Sequence, residues 1–216
     1  MNKTETLALL IPQMEGLLAP LGFRYLKSQE KFSLTEHGDK KGIGINVTYW
    51  SSSDYTMFTP ILGIHYKRIE KYKEEHLGQK YDSHMSTFHL RGDNIPEIRF
   101  WSFDSMSNFE EQTNEIEEKM RLYALPLLDK ISSIEEIVSM VIKREYDNFM
   151  NEYDRLISLL SLAGAYERKE LVSPILESFD PSLKSKNQLI PHHRELLSKL
   201  TGVQPRLLEI LETNKV

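Results

Sequence analysis

The residues in this chain whose types suggest chemistry are its seven histidines and two carboxylate–lysine pairs. Histidines bind a transition metal when two imidazoles share a helix face or converge from neighbouring loops. His84 and His89 are separated by an odd step, so in a strand they point to opposite faces. His192 and His193 are adjacent at a helix start, and there is no H-E-x-x-H pattern. No metal site and no cofactor are therefore expected. Asp39-x-Lys41 and Glu117-x-Lys119 match the short half of a nuclease-like pattern. That chemistry needs a further carboxylate from an adjoining strand to hold its metals, and neither pair has one upstream. Gly42-x-Gly44 lies between a charged turn and a strand. A dinucleotide loop runs from strand through glycines into helix, so these read as hairpin glycines. Arg91-Gly92-Asp93 reads as a turn. There is no G-x-S-x-G elbow, and without cysteine there is no Cys–His pair. No catalytic residue is assigned, and the balance is against an enzyme.

Two constellations remain. Tyr49, Trp50, Tyr55, Phe58, Trp101 and Phe103 could line an aromatic groove for a ligand, or form the core between sheet and helices. Glu110, Glu111, Glu115, Glu117 and Glu118 crowd one short helical stretch. They read as a solvated face that also complements the helix dipole, or as a docking surface for a partner with a basic surface.

The elements that would position these residues follow from periodicity. Leu7, Leu10, Ile11, Met14, Leu17 and Leu18 mark one face of a helix over 4–18, ended by Pro20 and Gly22. A strand begins at Phe23 and Tyr25 and continues through Phe32 and Leu34. After the turn-rich stretch 36–42, Ile43, Ile45, Val47 and Tyr49 alternate with period two, the mark of a hairpin strand. Ser51 to Asp54 make the next turn. A third strand carries Phe58, Leu62, Ile64 and Tyr66, with Pro60 implying an edge or bulge. Residues 67–80 are highly charged and read as a short exposed helix or loop. Two further strands, 85–90 and 98–103, flank the RGDN turn. Ser107-x-x-Glu110 and Ser133-x-x-Glu136 are capping-box patterns. The first opens a helix to about residue 124, and the second starts a helical run through Phe149. Leu156, Ile157 and Leu160 extend that pattern. Further helices fit 166–178, 191–200 and 205–213, with Asp180-Pro181 as a cap and first-turn proline.

Sixteen of the 21 aromatic residues and eight of the ten glycines fall in residues 1–131, whereas 132–216 is rich in Leu, Ile, Glu and Lys. Aromatics suit pleated surfaces and glycines suit turns. The expectation is an α+β protein: an antiparallel sheet domain over 1–131, packed against its N-terminal helix and a following helix, and an all-helical region over 132–216 packed on it.

The segment LLAPLGFRYLKSQEKFSL at 17–34 follows an amphipathic helix and leads into a hairpin. RFWSFDS at 99–105 and LPLLDKISSIEEI at 125–137 come after it. In that order they resemble a bacterial family catalogued as domain of unknown function 4304. There a helix ending in a Gly-Phe pair leads into an antiparallel sheet, and a Leu-Pro helix closes the domain. The resemblance spans about residues 3–140. It implies that fold and a bacterial origin, and it brings no catalytic residues.

The 216 residues carry a formal net charge of -5, with a pI near 5.8. Nucleic-acid binders are usually basic, so that class is not expected. The charge is spread over both parts, 16 basic against 19 acidic residues before position 132 and 11 against 13 after it. The start, MNKTETLALLIPQMEG, lacks the unbroken apolar run of a signal peptide. No stretch approaches the roughly 18 apolar residues of a membrane span. The absence of cysteine fits a reducing compartment, here the cytoplasm. These features together suggest a binding or interaction protein of the bacterial cytoplasm, one form being an immunity-type protein that neutralises a toxin by covering it. The alternatives are a hydrolase with a dispersed site and a small-molecule sensor using the aromatic groove.

Overall fold

The computed structural model of the chain describes residues 2–50, 55–77, 86–98, 100–143, 145 and 152–178. Helix α1 spans Lys3–Leu18. Asn2 caps it by accepting from the Glu5 amide, while the Glu5 carboxylate accepts from the Asn2 amide in return. Leu10, Met14, Leu17 and Leu18 are buried along one stripe. The helix runs through Pro12, which costs it one hydrogen bond. Four buried apolar side chains, each giving roughly 1.5–3 kcal/mol, outweigh that loss. Gly22, at a φ of 88°, ends the turn Ala19–Leu21, a conformation that glycine adopts without strain.

Among the described residues, six strands form one antiparallel sheet: β1 Arg24–Leu26, β2 Lys31–Glu36, β3 Asp39–Trp50, β4 Tyr55–His65, β5 Phe88–Arg91 and β6 Trp101–Phe103. The strand expected from Phe23 to Leu34 is two strands. Lys27–Gln29 form a 3₁₀ turn and Glu30 takes a positive φ, so the chain reverses and β1 pairs β2. His37 and Gly38, both at positive φ, make the two-residue turn between β2 and β3. That is the primed turn whose twist matches a hairpin. The turn expected at 51–54 lies outside the described residues. One rung of side chains crosses five strands through Tyr25, Phe32, Ile43, Leu62 and Leu90. All but the half-buried Tyr25 are inaccessible to solvent.

The far edge of β4 explains Pro60. β5 pairs with Ile61 to Ile64, and β6 pairs with Thr56 to Phe58. Between them the chain leaves the ladder, turning through Gly92–Asn94 beside Pro60. A proline cannot donate to a ladder, so the break falls where it does least harm. A Cβ on Gly92 would lie 2.7 Å from the proline ring, which is why this close approach uses glycine.

Helix α2, Lys67–Leu77, follows β4. Helix α3, Met106–Lys119, continues through a π turn, Met120–Ala124, into α4, Leu125–Lys130. Its cap is Ser105, not the expected Ser107, which lies inside the helix. It runs past the expected end near 124 because the π turn absorbs Pro126. The Leu125 amide reaches back to the Met120 carbonyl, and the proline that follows has no amide to place. α5, Ile134–Ile142, starts at Ser133, whose hydroxyl accepts from the Glu136 amide as the capping pattern implies. α6 spans Glu152–Ala165 and α7 spans Val172–Glu177. The helices expected at 191–200 and 205–213 lie outside the described residues.

α1, α3 and α4 cover the sheet face that carries Phe32, Ile43, Ile45, Val47, Phe58 and Leu62. Lys41 ties β3 to this layer, donating to Asp129 of α4 at 2.9 Å and pairing with Glu36 at 3.1 Å. Burial works against its charge, but these two carboxylates prevail and hold its pKa above the ordinary lysine value. The buried apolar residues form one cluster reaching from Leu10 to Ile175. Among the described residues, no helix is long and apolar enough to cross a membrane.

Candidate functional site

The aromatic set does not converge on a groove. Side chains paired across strands share a face. By the register, Tyr49, Phe58, Trp101 and Phe103 belong to the helix-covered face, and Tyr55 to the other. Phe58, Trp101 and Phe103 are completely buried. Phe58 stacks on Trp101 at 5.7 Å, and Phe103 packs against Phe109 of α3 at 5.2 Å. Tyr49 is exposed and Tyr55 half-buried. The side chain of Trp50 lies outside the described residues.

The acidic set sits on α3. Glu110, Glu111, Glu117 and Glu118 are exposed and Glu115 is half-buried. Glu117 is engaged within its own helix by Arg121 at 2.9 Å. Among the described residues, no three His, Asp or Glu side chains group as a metal site would. His89 lies on β5, while His84, His192 and His193 lie outside the described residues. Arg91 grips Asp93 through two hydrogen bonds, 3.0 and 3.1 Å, as a turn would.

The structure instead opens a cavity of about 540 Å³ elsewhere. Its walls are the β2–β3 turn (His37, Gly38, Asp39), α2 (Lys67, Arg68, Lys71, Tyr72, Glu75) and the end of α6 (Ala165, Tyr166). Each wall follows from a local rule. The primed turn needs the positive φ of His37 and Gly38. Asp39, the next residue, accepts from the Lys67 amide at 2.9 Å and so caps the start of α2. α6 closes on α2 because residue 164 is glycine. A Cβ there would lie 2.3 Å from the Tyr72 ring.

The inner side of α2 is pinned. Ile69 is buried, and Lys73, only 8% exposed, pairs with Glu70 at 3.0 Å and donates to Ser158 of α6 at 3.0 Å. Ser158 donates in turn to the Thr87 carbonyl, and the Thr87 hydroxyl accepts from the Tyr66 amide. This anchor turns Lys67, Arg68 and Lys71 outward, where all three are exposed. Among the described residues none of the three has a carboxylate at ion-pairing distance, whereas Lys3, Lys41, Lys73, Arg91, Arg121, Lys130 and Arg168 all do. Arg68 lies over the Tyr166 ring, 4.8 Å from its centroid, a cation–π contact. Burial pushes the Tyr166 pKa up, with the Asp39 carboxylate adding to the rise and the Arg68 guanidinium opposing it. Tyr72 packs on His76 at 4.2 Å.

Three cations, two phenol rings and two carboxylates thus meet in one depression of an acidic protein. Such a group can hold an anion and a flat ring together. In sequence the charged stretch 67–80 reads as an exposed helix or loop, with no site implied. The signal was present as Lys67 and Lys71 at i, i+4, beside Arg68 and Tyr72 at i, i+4. What the sequence could not display was the hairpin tip and the end of α6 closing over them.

The family model "Domain of unknown function (DUF4304)" matches residues 15–130, more than half of the chain. The chain belongs to this family. The DUF4304 match takes in the last turn of α1, the six described strands, α2, and α3 through α4; α6 and Tyr166, which follows it, lie beyond the match. No curated protein and no solved structure matches the chain.

Proposed function

We propose that this protein acts by binding, and that the cavity between the β2–β3 turn, α2 and α6 is its recognition site for an anionic ligand. The observation that carries this reading is the set Lys67, Arg68 and Lys71, gathered without carboxylate partners on one wall of a 540 Å³ depression. Other exposed cations, such as Arg24 and Lys27, also lack an ion pair among the described residues, but these three stand within little more than one turn of a single helix and line one cavity. The size falls in the range of small-molecule sites, roughly 300–1,000 Å³. The bacterial cytoplasm is the setting we favour, supported by the Cys-free composition. The test is a heteronuclear NMR titration of the purified protein with small inorganic and organic anions at low ionic strength. Resonances of residues 37–39, 67–75 and 165–166 should move together. Shifts confined to other regions, or none, would overturn the reading.

A second reading rests on α3, where Glu110, Glu111 and Glu118 stand exposed on one short helix. It is a docking surface for a protein with a basic face, such as a toxin neutralised by being covered.

A further inference from the structure

We propose that the ligand of this cavity is a nucleoside monophosphate, with its phosphate on Lys67 and Lys71 and its base on the aromatic wall of Arg68, Tyr72 and Tyr166. This inference rests on the binding reading above and assigns the chemistry of that site. The geometry of α2 separates two functions on adjacent rows. Lys67, Lys71 and Glu75 follow one another at i, i+4 along one row, and Arg68 and Tyr72 do so along the next. A phosphate monoester carries about -1.5 to -2 charges at neutral pH, which two lysines complement. Beside them the guanidinium already lies over the Tyr166 ring at 4.8 Å. A base enters the same kind of contact, because every base has a π face that stacks on a ring or a guanidinium.

The carboxylates complete the match. A site for bare phosphate has no use for Glu75, which would repel it. A ribose offers two hydroxyl donors, and carboxylate oxygens accept from them. Asp39 uses Oδ1 to cap α2. Asp39 and Glu75 both border the same cavity. From Lys67 to Glu75 the helix rises about 12 Å at roughly 1.5 Å per residue, room for a phosphate and a sugar along that row with the base beside them on the Arg68–Tyr72 row. The 540 Å³ volume exceeds what an isolated phosphate fills.

The experiment is isothermal titration calorimetry of the full chain with AMP, UMP, adenosine and inorganic phosphate. AMP should bind at least about tenfold more tightly than either adenosine, which lacks the lysine contacts, or phosphate, which lacks the stacked base. Lys67→Ala with Lys71→Ala should weaken AMP by about tenfold or more and leave adenosine unchanged. Tyr166→Leu should weaken AMP and adenosine but not phosphate, whereas Tyr166→Phe should retain the binding of all three. Circular dichroism and the Phe variant separate loss of the ring from loss of fold. AMP binding no tighter than phosphate, with the lysine dependence intact, would overturn the nucleotide assignment and leave an anion site. Absence of lysine-dependent binding for phosphate and AMP alike would overturn the binding reading with it.

Discussion

Replacing Lys73 with methionine should destabilise the protein by about 3 kcal/mol, and the reasoning behind that figure is local. The ammonium pairs with Glu70 at 3.0 Å, with side-chain exposures of 11% and 14%. At an effective dielectric near 20 their gross attraction is roughly 5 kcal/mol. Desolvation cancels much of it in the intact pair. Breaking a buried pair by removing one member costs more than its net value, about 3–5 kcal/mol, because the other charge stays buried alone. The residual water contact of both side chains places this pair at the lower end. Ser158 also loses the donor at 3.0 Å, though it keeps its own bond to Thr87. For a chain of 216 residues, about 3 kcal/mol corresponds to a fall in Tm of roughly 6–12 °C. Glu70→Leu combined with Lys73→Met removes both charges and should recover most of the loss. Urea unfolding followed by circular dichroism, on the wild type, both single variants and the double, measures the coupling. A Lys73→Met cost below about 1 kcal/mol, or a double variant no better than the single, would refute the argument. Because the same anchor orients α2, Lys73→Met should also weaken anion binding at the cavity.

Leu10 is fully buried, so Leu10→Ala should cost about 2–5 kcal/mol in the same assay. Tyr66 is buried, and its hydroxyl donates to the Ile131 carbonyl at 3.1 Å; burial raises its pKa well above 10, with Tyr166, Asp39 and Glu135 adding to the rise. A group whose folded pKa is raised contributes stability that is complete below its unfolded value and lost as the pH climbs toward the folded one. Stability should therefore fall by up to about 1.4 kcal/mol per pH unit above pH ~10 on account of this phenol. Tyr66→Phe should lose about 1 kcal/mol at neutral pH and flatten that alkaline slope; equal slopes would show that Tyr66 is not responsible. On α3, Glu111, Glu115 and Glu118 share one stripe. If a basic protein partner docks there, changing all three to glutamine should slow association and reduce its salt dependence; an unchanged rate and slope would mark a merely solvated face.

The sheet was legible because its code is local. Period-two alternation from Ile43 to Tyr49, a stripe at Leu10, Met14 and Leu17, and a glycine-bearing turn at 36–42 each act within a few residues. Boundaries were less legible where tertiary contacts decide them. The turn at Lys27–Gln29 falls in the all-polar stretch 27–31, across which the apolar parity changes from Phe23 and Tyr25 to Phe32 and Leu34, a break that reading one continuous strand overlooks. The π turn before Pro126 lets α3 continue where proline alone predicts a stop. Ser107 has the acidic residue three positions on, Glu110, yet the helix begins two residues earlier at Ser105, whose hydroxyl makes no capping bond. The aromatic residues illustrate a different gap. Phe58, Trp101 and Phe103 are a packed core, since the register places them on the face that the helices cover.

The cavity was illegible for a sharper reason. Its three walls stand at positions 37–39, 67–75 and 165–166, and no periodicity links them. α2 looks in sequence like a surplus of charge with hardly an apolar face. In the fold that surplus is divided. Lys73 and Glu70 are turned inward and satisfied by each other and by Ser158, so a helix with few apolar side chains can still be fixed in place. Lys67, Arg68 and Lys71 are turned outward and left without carboxylates. A helix held only by apolar packing would give its first turn less reason to be cationic. Here the inward pair fixes the orientation, the Asp39 cap fixes the start, and Gly164 lets α6 close to van der Waals contact with Tyr72. Of the outward cations, Arg68 spends its charge on the Tyr166 ring, whereas the ammonium groups of Lys67 and Lys71 take no part in the contacts that hold α2. Those two lysine charges, which stabilise nothing in the fold, are the kind expected to meet something outside it.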